Sequence, residues 1–235
     1  MKKFLIILFI VSGIKVNGQS LYGKVFYKIE PLEIEVKSNK EHIKLLYNEM
    51  EKIAQNQQYI LEFNSKISKF HKIDVLRVSK YSEEKERLLQ KATSMLYATN
   101  FTYFFDKENT KLIIKKEDAN LYFLDGKLDW VITTETKKIG DYLCYKATSE
   151  KKLKNNKGIE YNSPVVAWFA PALPYSYGPQ DFIGLPGLIL ELKFYKTVYL
   201  ATNIEVNTTS NKVIELPKGK MIDYKEYQKS FVGKI

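Results

Sequence analysis

From residue 100 onward, the sequence is a succession of short strand-like segments joined by turn residues. The segments are rich in β-branched and aromatic side chains, and connections such as Asp125-Gly126 favour tight turns. The predicted strands cover residues 101–105, 111–116, 120–124, 130–136, 142–149, 159–170, 188–195, 198–207 and 213–216. Many short strands at regular spacing predict a curved antiparallel sheet, in the form of a half-barrel, an open barrel or a sandwich.

The first hundred residues add two helices to this pattern. Apolar residues recur every three or four positions in residues 38–57 and again in residues 82–99, which is the spacing of an amphipathic helix. Strand-like patterns occur at residues 22–29, 59–63 and 73–78. The predicted fold class is therefore mainly β with two helices, an α+β arrangement.

Length and composition fit one folded domain, with a small subdomain as an alternative. A chain of 235 residues with 45% hydrophobic residues is ordinary for a single globular domain. Its 17 Tyr and 13 Phe favour β structure, because aromatic side chains suit a pleated, half-buried surface. We expect one β-rich domain over residues 20–220, with a helical segment at 38–99, followed by a polar C-terminal tail at 221–235.

The N-terminus has the layout of a secretory signal peptide. Two lysines precede an apolar run from Phe4 to Val11, and small and polar residues follow. The run is far shorter than the ~20 residues that a membrane-spanning helix needs, although a retained N-terminal anchor stays an alternative. We predict a signal peptide over residues 1–19, cleaved near Gly18-Gln19. The protein would then be exported, periplasmic or secreted, with no transmembrane span in its mature chain.

The net charge of +10 comes mainly from lysines that are spread through the whole chain. The densest basic cluster, residues 151–158, has the composition of a loop and contains no interleaved aromatic residues. Nucleic-acid-binding surfaces favour arginine, and this chain has only Arg77 and Arg87. We therefore expect no nucleic-acid partner and interpret the cluster as a solvated hairpin turn. A weak attraction to anionic lipid or polysaccharide stays open.

The chain offers few residues for metal or nucleophilic chemistry. Its two histidines, His42 and His71, fall in separate predicted elements, and Cys144 is its single cysteine. Zinc centres need several convergent His, Cys or carboxylate ligands, so we expect neither a metal site nor another cofactor. We interpret Cys144 as a small thiol buried in the sheet rather than as a nucleophile.

Carboxylates are the remaining candidates for catalysis. Asp181, Glu191 and Glu205 lie near the most distinctive segment of the sequence, and glycoside hydrolysis uses two such groups. Their separation in space cannot be read from the sequence. We therefore assign no catalytic residue and keep a hydrolase as an alternative.

The most distinctive segment is Gly184-Leu185-Pro186-Gly187-Leu188-Ile189, which leads into an alternating strand pattern. Glycine suits a sharp turn or a close backbone approach, and proline fixes φ. The segment is therefore predicted to be a buried turn that feeds a strand. Replacement of Gly187 by Val is expected to destabilise the fold.

A proline-rich, aromatic loop precedes this segment. Pro171 and Pro174 force an extended path that cannot join a central ladder. One interpretation is that the loop plugs one end of the curved sheet. The other is that it lines a groove for a ligand, because aromatic side chains on a rigid scaffold make good contact surfaces. The candidate ligand-binding residues are then Trp168, Tyr175, Tyr177 and Phe182.

Residues 130–200 resemble the GLPGLI family, a group of exported proteins of Bacteroidetes-type bacteria named for the hexapeptide at 184–189. Residues 130–147 resemble the family's strand-turn-strand block, and residues 167–179 resemble its second block. The resemblance implies structural roles for Gly178, Pro179, Gly184, Leu185, Pro186, Gly187, Leu188 and Ile189. The family has no established biochemical activity, so the resemblance informs fold and location more than chemistry.

These observations favour a non-enzymatic, exported binding or accessory module of the bacterial cell envelope. Its partner would be an envelope protein, a peptide, a glycan or an apolar ligand. One alternative is a hydrolase acting on an envelope or extracellular polymer. Another is a small carrier of an apolar molecule, which an unfilled apolar interior would favour.

Overall fold

The computed structural model describes a mainly β protein with two helices. It covers residues 21–36, 38–74, 81–116, 120–124, 128–155, 157–209, 213–224 and 226, so the predicted signal peptide lies outside the described residues. The helices are α1 (Glu41–Gln55) and α2 (Glu83–Leu96). The strands are β1 (Leu21–Pro31), β2 (Gln58–Phe63), β3 (Ile67–Ile73), β4 (Thr102–Asp106), β5 (Lys111–Lys115), β6 (Leu121–Leu124), β7 (Val131–Ile139), β8 (Tyr142–Lys154), β9 (Glu160–Ala170), β10 (Leu188–Phe194), β11 (Thr197–Thr209) and β12 (Met221–Asp223).

All the described strands belong to one sheet. Its order is β12-β6-β5-β4-β3-β2-β1-β11-β10-β9-β8-β7, and its neighbours are antiparallel apart from β6 and β12. The first strand, β1, sits in the middle because it pairs with β2 on one side and with β11 on the other. Within the described residues the end strands β12 and β7 do not pair with each other, so the sheet is open. The prediction of a curved, mostly antiparallel, unclosed sheet is confirmed.

The sheet curls strongly around one core. Tyr103 on β4 and Val165 on β9 line the same cavity, although six strand-to-strand steps separate them along the sheet. A flat sheet would hold these strands roughly 29 Å apart at about 4.8 Å a step. We call the strands on the two sides of β1 the two wings of the sheet: β2–β6 with β12 form one, and β7–β11 form the other. One core cluster joins both wings, with Leu61, Phe63, Phe70 and Phe105 from the first and Ala167, Phe169 and Leu192 from the second. Aromatic residues therefore fill much of the concave side.

Both helices pack against this core. α1 connects β1 to β2, and α2 connects β3 to β4, so the two helices lie at the same end of the sheet. Met50, Ala54 and Leu89 belong to the core cluster. The Thr197 hydroxyl donates a hydrogen bond to the Tyr97 carbonyl, which ties the end of α2 to the β10–β11 turn. The helices thus cover one end of the curved sheet.

Residues 171–187, which we call the plug, fold back into the concave side of the sheet. Leu173, Tyr177 and Phe182 are buried there. The amides of Leu188 and Ile189 donate to the carbonyls of Leu173 (2.9 Å) and Tyr177 (3.0 Å). These bonds give the proline-rich segment backbone partners outside the strand ladder.

The described strands differ from the predicted ones in two places. The strand at Ile67–Ile73 was not predicted; it follows a tight turn directly after β2, in which Asn64 accepts hydrogen bonds from the amides of Lys66 and Ile67. Of the strand predicted at 73–78, only residues 73 and 74 are described. Residues 75–80 lie outside the described part of the chain. No strand forms over the described residues 213–216, where Ile214 is buried beside the sheet.

The first residues of the predicted polar tail form a short strand. Met221–Asp223 forms β12, which pairs in parallel with β6. Tyr224 continues the contact, because its ring meets Tyr122 edge-on at 6.0 Å between ring centres. The segment that follows β12 therefore helps to form one wing of the sheet.

The two glycines of the distinctive segment serve different purposes. Gly184 has a φ of +99°, which a residue with a side chain adopts at a cost, and nothing would lie within 4 Å of an added Cβ. An added Cβ at Gly187 would stand 2.2 Å from the Ala170 carbonyl oxygen. Gly187 is thus required by the close approach of two backbone segments.

Gly187→Ala should destabilise the protein by about 3 kcal/mol, because the added methyl group meets rigid backbone rather than a mobile side chain. Gly184→Ala is the control, with an expected cost of about 1–2 kcal/mol from its positive φ alone. Urea unfolding of both variants measures the difference. An equal cost at the two sites would contradict the close-approach argument.

Candidate functional site

A groove of about 1000 Å³ lies on the concave side of the sheet. One wall comes from β4–β6 and Tyr224, and the other from β7–β9. Its apolar lining includes Ile114, Leu124, Leu128, Val165 and Phe194. Small-molecule sites in proteins are concave, mostly apolar and about 300–1000 Å³ in volume. The groove has the size and shape of such a site.

The plug brings a buried carboxylate to this groove. The Asp181 side chain is only 7% exposed, and its Oδ2 atom accepts a hydrogen bond from the Lys151 ammonium group. Its Oδ1 atom is buried and has no hydrogen-bond partner among the described residues. The Lys151 ammonium nitrogen also stands 4.7 Å from the ring centre of Phe182 and 5.2 Å from that of Phe194. Asp181 therefore has one satisfied oxygen and one free oxygen.

The residue before Asp181 holds the plug in position. Gln180 has a φ of +55°, and its side-chain amide donates a 2.5 Å hydrogen bond to the Tyr199 hydroxyl group of β11. A non-glycine residue in this conformation is uncommon and is held by the surrounding structure. The bond from Gln180 to the sheet fixes the direction in which Asp181 points.

The Asp181 carboxylate also acts on two buried tyrosines, Tyr103 in the groove and Tyr199 on β11. Burial is the main cause that raises the pKa of both Tyr103 and Tyr199, and the Asp181 carboxylate raises both further.

The structure separates the four residues predicted to bind a ligand. Tyr177 and Phe182 are buried in the plug, where Tyr177 contacts Phe63 and Phe105. Tyr175 is half-buried, with its ring 4.7 Å from that of Phe63. None of the three lines the groove directly, although Phe182 supports Lys151 beneath it. Their binding role stays a prediction, and their observed contacts are those of core residues.

Trp168 lies on the outer face of the sheet. On β9 its side chain points away from the face that carries Val165 and Phe169, because side chains alternate along a strand. The Lys137 ammonium nitrogen lies 4.4 Å from the Trp168 ring centre and 2.6 Å from Glu191 Oε2. Trp168 therefore does not share a site with the residues of the plug.

The three candidate carboxylates do not come together. Asp181 is in the groove, while Glu191 pairs with Lys137 on the outer face. Glu205 lies opposite Lys24 in the β1–β11 register and accepts a 3.0 Å hydrogen bond from Asn203. Asp181 and Glu191 therefore cannot act on the same bond.

The basic cluster at 151–158 is divided between strand and turn. Lys151, Lys152 and Lys154 belong to β8, and the hairpin turn itself begins at Asn155, whose amide donates to the Ile159 carbonyl. The interpretation of the cluster as a solvated turn was therefore wrong for Lys151. Strand alternation from the buried Ala147 through Ser149 could have shown that Lys151 faces inward.

Cys144 is buried in the sheet, as its sequence context predicted. Its exposed fraction is 0%, and burial raises the pKa of its thiol from 9.0 to about 11. Within the described part of the chain, no three His, Cys, Asp or Glu side chains converge as metal ligands do. The expectation that no metal or cofactor is bound stays a prediction. No described helix is long and apolar enough to cross a membrane.

A matched pair of tyrosines tests how the plug is held. The Tyr27 hydroxyl donates a 2.7 Å hydrogen bond to the Ile189 carbonyl, whereas the buried Tyr177 hydroxyl has no partner among the described residues. Tyr27→Phe should cost about 1–3 kcal/mol of stability, because it leaves a buried carbonyl unpaired. Tyr177→Phe should be neutral or slightly stabilising. Urea unfolding compares them, and equal effects would show that this hydrogen bond does not anchor the plug.

The buried thiol should react slowly with a disulfide reagent at pH 7.5. A pKa of about 11 leaves about one-hundredth of the thiolate that a thiol of pKa 9.0 would have, and access is also blocked. Because Cys144 is the single cysteine, the absorbance change reports this residue alone. Urea-unfolded protein is the control and should react at least a hundred-fold faster. Fast reaction of the native protein would contradict the burial.

Comparison with known proteins places the most informative similarity in the second half of the chain. Residues 130–164 and 149–191 match the model of a family described as a protein of unknown function (Porph_ging). Two structures of PNGF-II, in the C2 and P21 space groups, each align with a TM-score of 0.51 and 15% identity over 92% of this chain. The chain spans about a third of those chains, 33% and 34% of their lengths, and at this identity the likeness shows the fold alone. No curated protein matches the sequence.

Proposed function

We propose that this protein is an exported binding module of the bacterial cell envelope, of the GLPGLI type, which holds a small ligand in its concave groove. The groove of about 1000 Å³, with the half-paired carboxylate of Asp181 on the plug, is the observation that carries this proposal. Export rests on the signal-peptide pattern of residues 1–19.

The architecture supports binding because it holds the groove open. The sheet supplies both walls, and the plug supplies polar atoms between them, with Gln180 bonded to Tyr199 on the sheet. A ligand would meet side chains that are already in place, which lowers the entropy cost of binding.

The apolar lining gives specific support to the carrier form of this function. Leu124, Leu128 and Val165 would contact an apolar part of the ligand, and Asp181 would contact a polar part. The plug fills much of the concave side, so the ligand would occupy the groove beside it. A hydrolase has less support, because Asp181 and Glu191 lie on opposite faces of the sheet.

Binding of the uncharged fluorescent dye N-phenyl-1-naphthylamine tests the groove. Leu153 lines the groove on β8, whereas Leu143 on the same strand is 47% exposed and lies outside it. Leu153→Trp should fill part of the groove and weaken dye binding at least ten-fold. Leu143→Trp, the same substitution on the same strand, should leave dye affinity within two-fold of the original.

Fluorescence titration at constant dye concentration measures both affinities, and melting temperatures confirm that both variants are folded. The proposal would fail if the native protein bound no dye. It would also fail if the two tryptophan variants bound the dye equally well, because the dye would then lie elsewhere.

A further inference from the structure

We propose that the groove selects ligands that carry a primary ammonium group on an apolar body, and that Asp181 Oδ1 accepts its hydrogen bond. This inference rests on the proposed function and names the ligand class for the same groove. It follows from the bonding of Asp181, from the charges around the groove and from the groove's apolar lining.

The first argument concerns the free oxygen of Asp181. The side chain is 7% exposed, Lys151 bonds to Oδ2, and Oδ1 has no partner among the described residues. A buried acceptor without a donor costs about 1–3 kcal/mol. A ligand that brings a donor to Oδ1 recovers this free energy, whereas a ligand without a donor does not.

The second argument is the sign of the charge around the groove. The described part of its lining contains three acidic residues, Asp129, Glu150 and Asp181, against two basic ones, Lys151 and Lys152. The groove is therefore slightly acidic in a chain whose net charge is +10. This local excess favours a cation over an anion.

The groove's own lysine does not take the place of the ligand. The Lys151 ammonium group bonds to Oδ2 and is held against the rings of Phe182 and Phe194. These contacts hold Lys151 at Oδ2, and Oδ1 has no donor among the described residues. Because a carboxylate accepts several hydrogen bonds, two ammonium groups can share it.

The comparison of donors favours ammonium over hydroxyl. A hydrogen bond between an ammonium group and a carboxylate is roughly twice as strong as one between neutral groups. A hydroxyl group would satisfy Oδ1 without the charge contribution, and a carboxylate would be repelled. The lining favours an apolar body because it includes Ile114, Leu124 and Val165. Removing apolar surface of the ligand and the groove from water is favourable.

Three ten-carbon probes with different head groups test this inference. Decylamine, decanol and decanoate would each displace N-phenyl-1-naphthylamine from the native protein at pH 7, below their micellar concentrations. We expect decylamine to compete at least ten-fold better than decanol, and decanoate to compete worst. Dye binding with no head-group preference would overturn the inference and leave the proposed function standing. An absence of dye binding would overturn both.

Substitutions of the ion pair then locate the preference. Asp181→Asn should abolish the preference for decylamine over decanol, whereas the exposed control Asp141→Asn should retain it. Lys151→Gln should increase the preference, because the whole carboxylate becomes available. The ratio of two probes on one variant is insensitive to modest changes in stability. A preference that survives Asp181→Asn, or that Lys151→Gln lowers, would overturn the inference.

Discussion

The close contact between Gly187 and the Ala170 carbonyl is the constraint on which the rest of the structure depends. It allows the chain to leave β9, cross the concave side as the plug, and return as β10 directly beside the strand that it left. The amides of Leu188 and Ile189 then bond to carbonyls of the plug, and Tyr27 on the central strand bonds to the Ile189 carbonyl. Without this return, an open sheet would have no filling for its concave side, and its aromatic residues would face water.

The same return places polar chemistry inside the curved sheet. Asp181 belongs to the plug, while Lys151 belongs to a strand 30 residues earlier, and only the folded chain brings them together. Because the sheet does not close, the two wings leave a groove rather than a filled barrel. Most of the plug serves as core, and its Gln180-Asp181 corner lines the groove that we propose as a binding site. The aromatic residues of the loop have the buried contacts expected of a plug. A role of the loop in ligand binding stays a prediction.

Much of the fold was predictable from local patterns. The helices at 38–57 and 82–99 appear within three residues of their predicted ends, and most strands from 101 to 207 appear where alternation placed them. The strand at Ile67–Ile73 was missed, although the Asn64 turn that leads into it is a local signal in the sequence. The short strand at Met221–Asp223 was missed because parallel pairing with β6 depends on a distant partner. In the candidate site, the aromatic residues pointed to the loop that carries Asp181, but the ion pair of Asp181 with Lys151 in the groove was not predicted.

The sequence by itself determined the class of the fold, the buried turn at Gly184–Ile189 and the burial of Cys144. All three are set by residues that are close together in the chain. The fold class follows from side-chain alternation, the turn from glycine and proline geometry, and the burial of Cys144 from its apolar neighbours. Only the tertiary structure decided which strands pair, how far the sheet curls, and which charged groups face the groove. The physical reason is that pairing and curvature are set by contacts between residues far apart in the chain, such as Tyr27 with Ile189 and Lys151 with Asp181. The same lysine that composition assigned to a solvated turn therefore became half of a buried ion pair.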